Sequence, residues 1–194
     1  MKIGLFFGSF NPVHTGHLLV ASYMTGFTDI EKVWMVVSPQ NPFKPRGSLA
    51  SIADRLEMVR LATQGSDIEV SDAELHLPLP SYTVDTLSFL TGKYPEHKFS
   101  LIMGADTVSS LPGWKEHTKI LDNFSVYVYA RRGSDLSSLH PSRKLILTST
   151  PLVEVSSTFI RDSIRKGKNM RYWVPEPVLD YISKHSLFLD PKSP

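Results

Sequence analysis

Ile3-Gly4-Leu5-Phe6-Phe7-Gly8-Ser9-Phe10-Asn11-Pro12-Val13-His14-Thr15-Gly16-His17 stands at the head of the chain, and its three parts set the architecture. Ile3 to Phe7 is an apolar run of buried-strand length. Gly8 to Pro12 is turn-forming, and His17 to Gly26 is amphipathic at helical spacing. Similar runs return at Val33 to Val37, Ile68 to Val70, Phe99 to Met103, Ser125 to Ala130 and Leu145 to Leu147. Helical stretches fall between them at Ile52 to Ala62 and Val84 to Tyr94. Strand and helix in alternation predict an α/β fold, a parallel sheet with helices on both faces. Ser157 to Lys166 and Pro175 to Lys184 follow one another without a strand and predict a small C-terminal helical cap over about residues 157–190.

The whole chain, residues 1–194, reads as a single domain, since no linker or repeat divides it. Its 21 Lys+Arg against 19 Asp+Glu leave a net charge of +2, too weak for broad binding to nucleic acid or anionic membrane. An anionic ligand must therefore meet a local cluster of cations. With no cysteine, thiolate zinc, iron–sulfur centres, disulfides and a Cys nucleophile are excluded. The opening apolar run stops at Gly8-Ser9, too short for a signal segment, and no later run is of membrane-spanning length. The expectation is a cytoplasmic protein, with no membrane partner and with room for a homo-oligomer. The Asn123-Phe124-Ser125 sequon is accidental on this reading.

In an open parallel sheet, ligands bind beyond the carboxyl ends of the strands, where strand order reverses. The loop after the first strand is the strongest candidate. Gly8 permits close backbone approach to a ligand, and Pro12 keeps the helix from starting early. His14 and His17 stand three apart at a helix entrance, where they share a face and where the helix dipole favours anions. A zinc site would need further ligands, but His76, His97, His117, His140 and His185 are scattered and no HExxH occurs. Neither G-x-x-x-x-G-K-[ST] nor G-x-G-x-x-G after a strand is present, which removes the main support for a P-loop kinase or an ordinary dinucleotide-binding oxidoreductase. Near the other end, Ser156 or Ser157 suits an N-cap, Ile160 and Ile164 form an apolar stripe, and Gly167 suits a helix stop. Arg161, one turn beyond Ser157, would present a guanidinium to the same phosphate as the cap.

Together, Gly8-Ser9-Phe10-Asn11-Pro12-Val13-His14-Thr15-Gly16-His17 and Ser156-Ser157-Thr158-Phe159-Ile160-Arg161 resemble the two signatures of the nucleotidyltransferase superfamily with the HxGH motif. Asn41-Pro42-Phe43-Lys44, Ser81-Tyr82-Thr83-Val84-Asp85-Thr86-Leu87, Gly104-Ala105-Asp106 and Leu111-Pro112-Gly113-Trp114 look like one branch, the bacterial nicotinate-mononucleotide adenylyltransferases. The match runs in order from residue 4 to about residue 182, and Val174-Pro175 precedes the last helix. The resemblance implies a Rossmann-like, doubly wound sheet. It also implies transfer of AMP from ATP to nicotinate mononucleotide, with release of pyrophosphate, in NAD biosynthesis. His14, His17 and Arg161 become the catalytic set. Gly8, Ser9, Phe10, Lys44, Gly104, Asp106, Arg131, Ser156, Ser157 and Thr158 become the ATP site. Trp114 would stack on the pyridine ring, while Thr83 and the backbone N–H groups of Val84 and Lys115 would hold its carboxylate. A helix N-terminus favours carboxylate over carboxamide, a physical basis for nicotinate selectivity. Mg²⁺ is implied on the triphosphate oxygens, with no protein side chain expected to ligate it.

Two departures from the branch stand out. Leu77-Pro78-Leu79 is apolar where relatives often carry a basic residue, and Arg131-Arg132-Gly133 replaces a frequent Arg-Pro-Gly. Other acceptors, nicotinamide mononucleotide or phosphopantetheine, and a binding module without turnover are the alternative readings. Trp114 and the Ser81 to Leu87 stretch oppose phosphopantetheine, and intact His14, His17 and Arg161 oppose the module.

Overall fold

The computed structural model describes residues 1–39, 49–133 and 144–189. Six strands form one sheet: β1 (Lys2–Gly8), β2 (Lys32–Val37), β3 (Ile68–Ser71), β4 (Lys98–Gly104), β5 (Ser125–Tyr129) and β6 (Leu145–Leu147). Their spatial order is β3-β2-β1-β4-β5-β6, and every pair is parallel. This is the doubly wound, Rossmann-like arrangement expected from strand–helix alternation. Phe6 is in register with Met35 on one side and Ile102 on the other, so β1 and β4 lie at the centre, where the order reverses.

Alternation along the strands divides the core between two faces. Phe6, Val33, Met35, Ile102 and Tyr127 point to the first face, where α1 (Thr15–Phe27) and α2 (Ile52–Thr63) bury Val20, Met24, Met58 and Val59. Ile3, Leu5, Leu101, Val126 and Val128 point to the second, covered by α3 (Thr83–Lys93), α4 (Ala105–Val108) and α5 (His117–Asn123). Leu5 and Leu101 are wholly buried, each worth about 1.5–3 kcal/mol by area removed from water. The C-terminal α6 (Ser157–Arg165) and α7 (Glu176–Lys184) follow each other without a strand, as expected. They bury Ile160, Val178 and Ile182 in the first-face core, so the cap extends the layer made by α1 and α2. Tyr181 Oη donates to Asp54 Oδ1 of α2 at 2.9 Å across that contact.

The six strands match their sequence signals to within a residue or two, β5 ending at Tyr129 rather than Ala130. Sequence periodicity misses α4 and α5. They are four and seven residues long, and α5 buries only Ile120, too little for a periodic stripe.

Candidate active site

β1 and β4 both end in glycine, Gly8 and Gly104, at the centre of the sheet's carboxyl edge. Between them opens a cleft of about 310 Å³. Gly8, Ser9, Phe10, His14, His17, Gly104, Trp114, Arg131, Ser156, Ser157 and Thr158 all line it. The two signatures, about 140 residues apart, thus face one volume.

The loop after β1 is bolted down by its own carbonyls. Ser9 O accepts from Arg55 Nη1 at 2.8 Å, Asn11 O from Arg161 Nη1 at 2.9 Å, and Pro12 O from Ser157 Oγ at 2.9 Å. Asn11 Oδ1 accepts from the Ala50 N–H at 2.9 Å. Phe10 takes a left-handed backbone, φ 44°, and its ring is buried. Gly8 lines the cleft and also serves the packing of the loop. A Cβ there would lie 2.8 Å from the Phe10 ring, so the missing side chain makes room for that phenyl group.

His14 occupies the N-cap position of α1 with an extended backbone. Its N–H donates to His17 Nδ1 at 3.3 Å, which leaves the neutral His17 ring with its proton on Nε2. The imidazoles stack, centroids 3.7 Å apart and 23° between planes, so they lie face to face rather than side by side. Gly16 is under the pair: a Cβ there would approach His14 Nδ1 to 3.1 Å. Burial, reinforced by the Arg131 charge, lowers the His14 pKa to about 4, and His14 is neutral at pH 7. The first amide of α1 is taken: Thr15 N–H donates to Trp173 O at 3.0 Å, and Thr15 Oγ1 to Tyr172 O at 2.8 Å.

Ser156 caps α6, its hydroxyl accepting from Phe159 N–H at 3.2 Å. The amides of Ser157 and Thr158 are then the first in the helix without intrahelical partners. Arg161 does not line the cleft. Besides Asn11 O it reaches Thr158 Oγ1 at 3.3 Å, and its buried Nε has no hydrogen-bond partner. Arg131 lines the cleft from the end of β5, donating to Tyr129 Oη at 3.3 Å and standing 4.0 Å from Asp106. Asp106 is in the first turn of α4, outside the cleft lining, while Gly104 holds the cap position. A Cβ on Gly104 would meet Asp106 Oδ1 at 2.5 Å.

Trp114 reaches the cleft from a tight turn, with its Nε1 on Ser110 Oγ at 3.2 Å. Lys115 turns the other way and pairs with Asp85 at 2.9 Å, above the Tyr82 ring. That pair ties the Trp114 turn to the start of α3, where Thr83 and buried Val84 stand, behind the cleft lining. Asp85 and Thr86 N–H both donate to Tyr82 O, so Thr83 and Val84 carry the leading amides of that helix. Lys44, with Asn41-Pro42-Phe43, lies outside the described residues.

Sequence reasoning misses Arg55, Tyr129 and the Tyr172-Trp173 strut. Arg55 had a signal: it interrupts the apolar stripe Ile52, Leu56, Val59 of α2, where a charge needs an explanation. The strut had none, because a carbonyl contact leaves no mark on side-chain identity.

The model of the cytidylyltransferase-like family matches residues 5–163. A probable nicotinate-nucleotide adenylyltransferase of Flavobacterium johnsoniae is 46% identical over 97% of this chain and 99% of its own length. One from Cytophaga hutchinsonii is 47% identical over 94% of this chain and 95% of its own. The nicotinic acid mononucleotide adenylyltransferase of Plasmodium falciparum, solved in complex with NaAD, shares the fold. Its TM-score is 0.80 at 21% identity, covering 96% of this chain and 97% of that one. With both signatures on one cleft at the β1/β4 switch point, the chain belongs to the nicotinate-nucleotide adenylyltransferases of the cytidylyltransferase-like family.

Proposed function

We propose that the chain transfers AMP from ATP to nicotinate mononucleotide, giving nicotinate adenine dinucleotide and pyrophosphate. The carrying observation is the shared cleft, lined by His14, His17, Arg131, the start of α6 and Trp114 together. An acceptor phosphate oxygen attacks the α-phosphorus of ATP in line. The new P–O bond forms as the bond to the β-phosphate oxygen breaks, and pyrophosphate leaves with the electron pair. The nucleophile is already an anion, so no general base is needed; positioning and charge stabilisation carry the rate.

His17 Nε2–H and the amides of Ser157 and Thr158 are assigned to the transferring and departing phosphates, with Arg131 as the cation. Neutral His14 packs against His17 and orients it. Arg161 acts at the rim, through Thr158 and the Asn11 carbonyl. Gly8, Ser9 and Phe10 offer backbone to the phosphates, and Gly104 and Asp106 face the nucleoside. Trp114 stacks on the pyridine ring, and the leading amides of α3 with Lys115 N–H take its carboxylate. Mg²⁺ bound together with ATP would supply further charge neutralisation, beside Arg131 and the leading amides of α6. Among the described residues no group of three His, Cys, Asp or Glu gathers around a metal position.

A homo-oligomer is compatible with this reading. The reaction involves no nucleic acid. Among the described residues no helix is long and apolar enough to cross a membrane. We place the reaction in the cytoplasm, which the cysteine-free composition supports. The test is pyrophosphate release from ATP and Mg²⁺ with nicotinate mononucleotide and nicotinamide mononucleotide in parallel. Release with the first alone is expected. Equal rates would remove the α3 amides from the account of selectivity, and release with neither would overturn the function.

A further inference from the structure

Arg55 is 2% exposed, yet no carboxylate pairs with it among the described residues. Its guanidinium is satisfied by backbone carbonyls alone. Nη1 donates to Ser9 O at 2.8 Å and Ser38 O at 2.7 Å, Nη2 to Pro39 O at 3.0 Å, and Nε to Ala50 O at 3.2 Å. Burying a guanidinium this way is costly, and a Met or Leu could fill the space on α2 without desolvating a charge. Packing alone does not account for the residue.

The carbonyl of Ser9 explains what the charge does. The Ser9–Phe10 peptide is trans, so its C=O and N–H point in opposite directions. With Ser9 O held on buried Arg55, Phe10 N–H is turned away from Arg55, and both Ser9 and Phe10 line the cleft. Phe10 sits at φ 44°, a conformation that a non-glycine residue holds only under outside constraint. Two residues on, Arg161 grips Asn11 O in the same manner. The planar fork of arginine can reach four carbonyls at once, whereas a lysine ammonium is a point charge with three donors.

We propose that Arg55 is a positioning residue for adenylyl transfer: its grip on Ser9 O fixes the Ser9–Phe10 peptide with the Phe10 N–H presented to the triphosphate. The inference rests on the assignment of this cleft to ATP. Arg55 touches no substrate, and its influence falls on ATP and not on the acceptor.

The test uses full-length wild-type, Arg55→Lys and Arg55→Met proteins in the pyrophosphate-release assay, with folding checked by near-UV circular dichroism. Loss of one preorganised donor predicts that kcat/KM for ATP falls about 100-fold in both variants. KM for nicotinate mononucleotide stays within about threefold of wild type. Wild-type kinetics in Arg55→Lys, or KM values for both substrates rising together, would overturn the proposal. A direct measurement covers the case in which neither variant folds. In the ¹⁵N-labelled wild-type protein, the Phe10 amide is expected to shift on adding α,β-methylene ATP; a Phe10 amide that stays put while neighbouring resonances move refutes it. Wild-type protein that binds the analogue but releases no pyrophosphate with either mononucleotide would refute the adenylyltransferase reading. Loss of the Phe10 shift in a folded Arg55→Lys or Arg55→Met protein would still support Arg55 as the positioning residue, and an unchanged shift would refute it.

Discussion

His14 N–H donates to His17 Nδ1 at 3.3 Å while the two rings stack 3.7 Å apart, so one histidine sets both the tautomer and the tilt of the other. With Nδ1 accepting, the donor of the His17 ring is Nε2–H. Replacing His17 with Ala is expected to lower kcat by roughly 10²- to 10³-fold. Steady-state pyrophosphate release checks this, and an unchanged rate would take His17 out of the catalytic set.

The neutral His14 makes stability depend on pH. Its folded pKa of about 4 lies below the ordinary 6.5, so between those values the unfolded chain binds more protons. The contribution is complete above pH 6.5 and drains away as pH falls towards 4. By pH 5 it has lost roughly 2 kcal/mol, the free energy of that differential protonation. Urea unfolding at pH 7 and pH 5 should show that loss in wild type. The same comparison in His14→Gln isolates it from carboxylates, and an identical pH slope in the two proteins would contradict a buried neutral His14.

Glu74 has the opposite sign. It is buried, with Thr86 Oγ1 3.4 Å from its Oε1, and burial raises its carboxyl pKa against the hydrogen bonds of Ser38, Thr86 and Ser81. A raised carboxyl pKa stabilises the fold below the ordinary carboxyl range and loses that advantage as pH rises through the folded value. Glu74→Gln, which keeps the shape without the charge, is expected to be at least as stable as wild type at pH 8 by thermal unfolding. A markedly lower melting temperature there would show that the ionised carboxylate is needed.

Trp114 lines the cleft and is assigned to the pyridine ring, so its loss should affect the acceptor alone. Stacking on a base-sized ring is worth about 1–3 kcal/mol. In Trp114→Ala, KM for nicotinate mononucleotide should rise roughly 10- to 100-fold with KM for ATP little changed. A rise confined to ATP would place Trp114 on the other substrate.

Gly8→Ala tests the phenyl contact. Its Cβ would sit 2.8 Å from the rigid Phe10 ring, an overpacking expected to cost about 1–3 kcal/mol. A thermal midpoint equal to wild type would show that the loop can yield.

Sequence alone determined the strands, because a buried parallel strand needs a continuous apolar run, and Ile3 to Phe7 or Phe99 to Met103 can be little else. It also determined which loops matter, since glycines, a proline, histidines three apart and a Ser cap carry their local conformations with them. Tertiary structure decided how those pieces meet. The order β3-β2-β1-β4-β5-β6 brings Gly8 beside Gly104, and no local rule predicts which strands will be neighbours. Ser157 on Pro12 O, Arg161 on Asn11 O and Arg55 on Ser9 O are side-chain grips on backbone carbonyls. Every residue carries that carbonyl, so the acceptor leaves no trace in the sequence. The neutrality of His14 likewise follows from burial and the Arg131 charge, both supplied by distant segments. Local propensity is written residue by residue, while desolvation and long-range hydrogen bonds exist only once the chain has closed on itself.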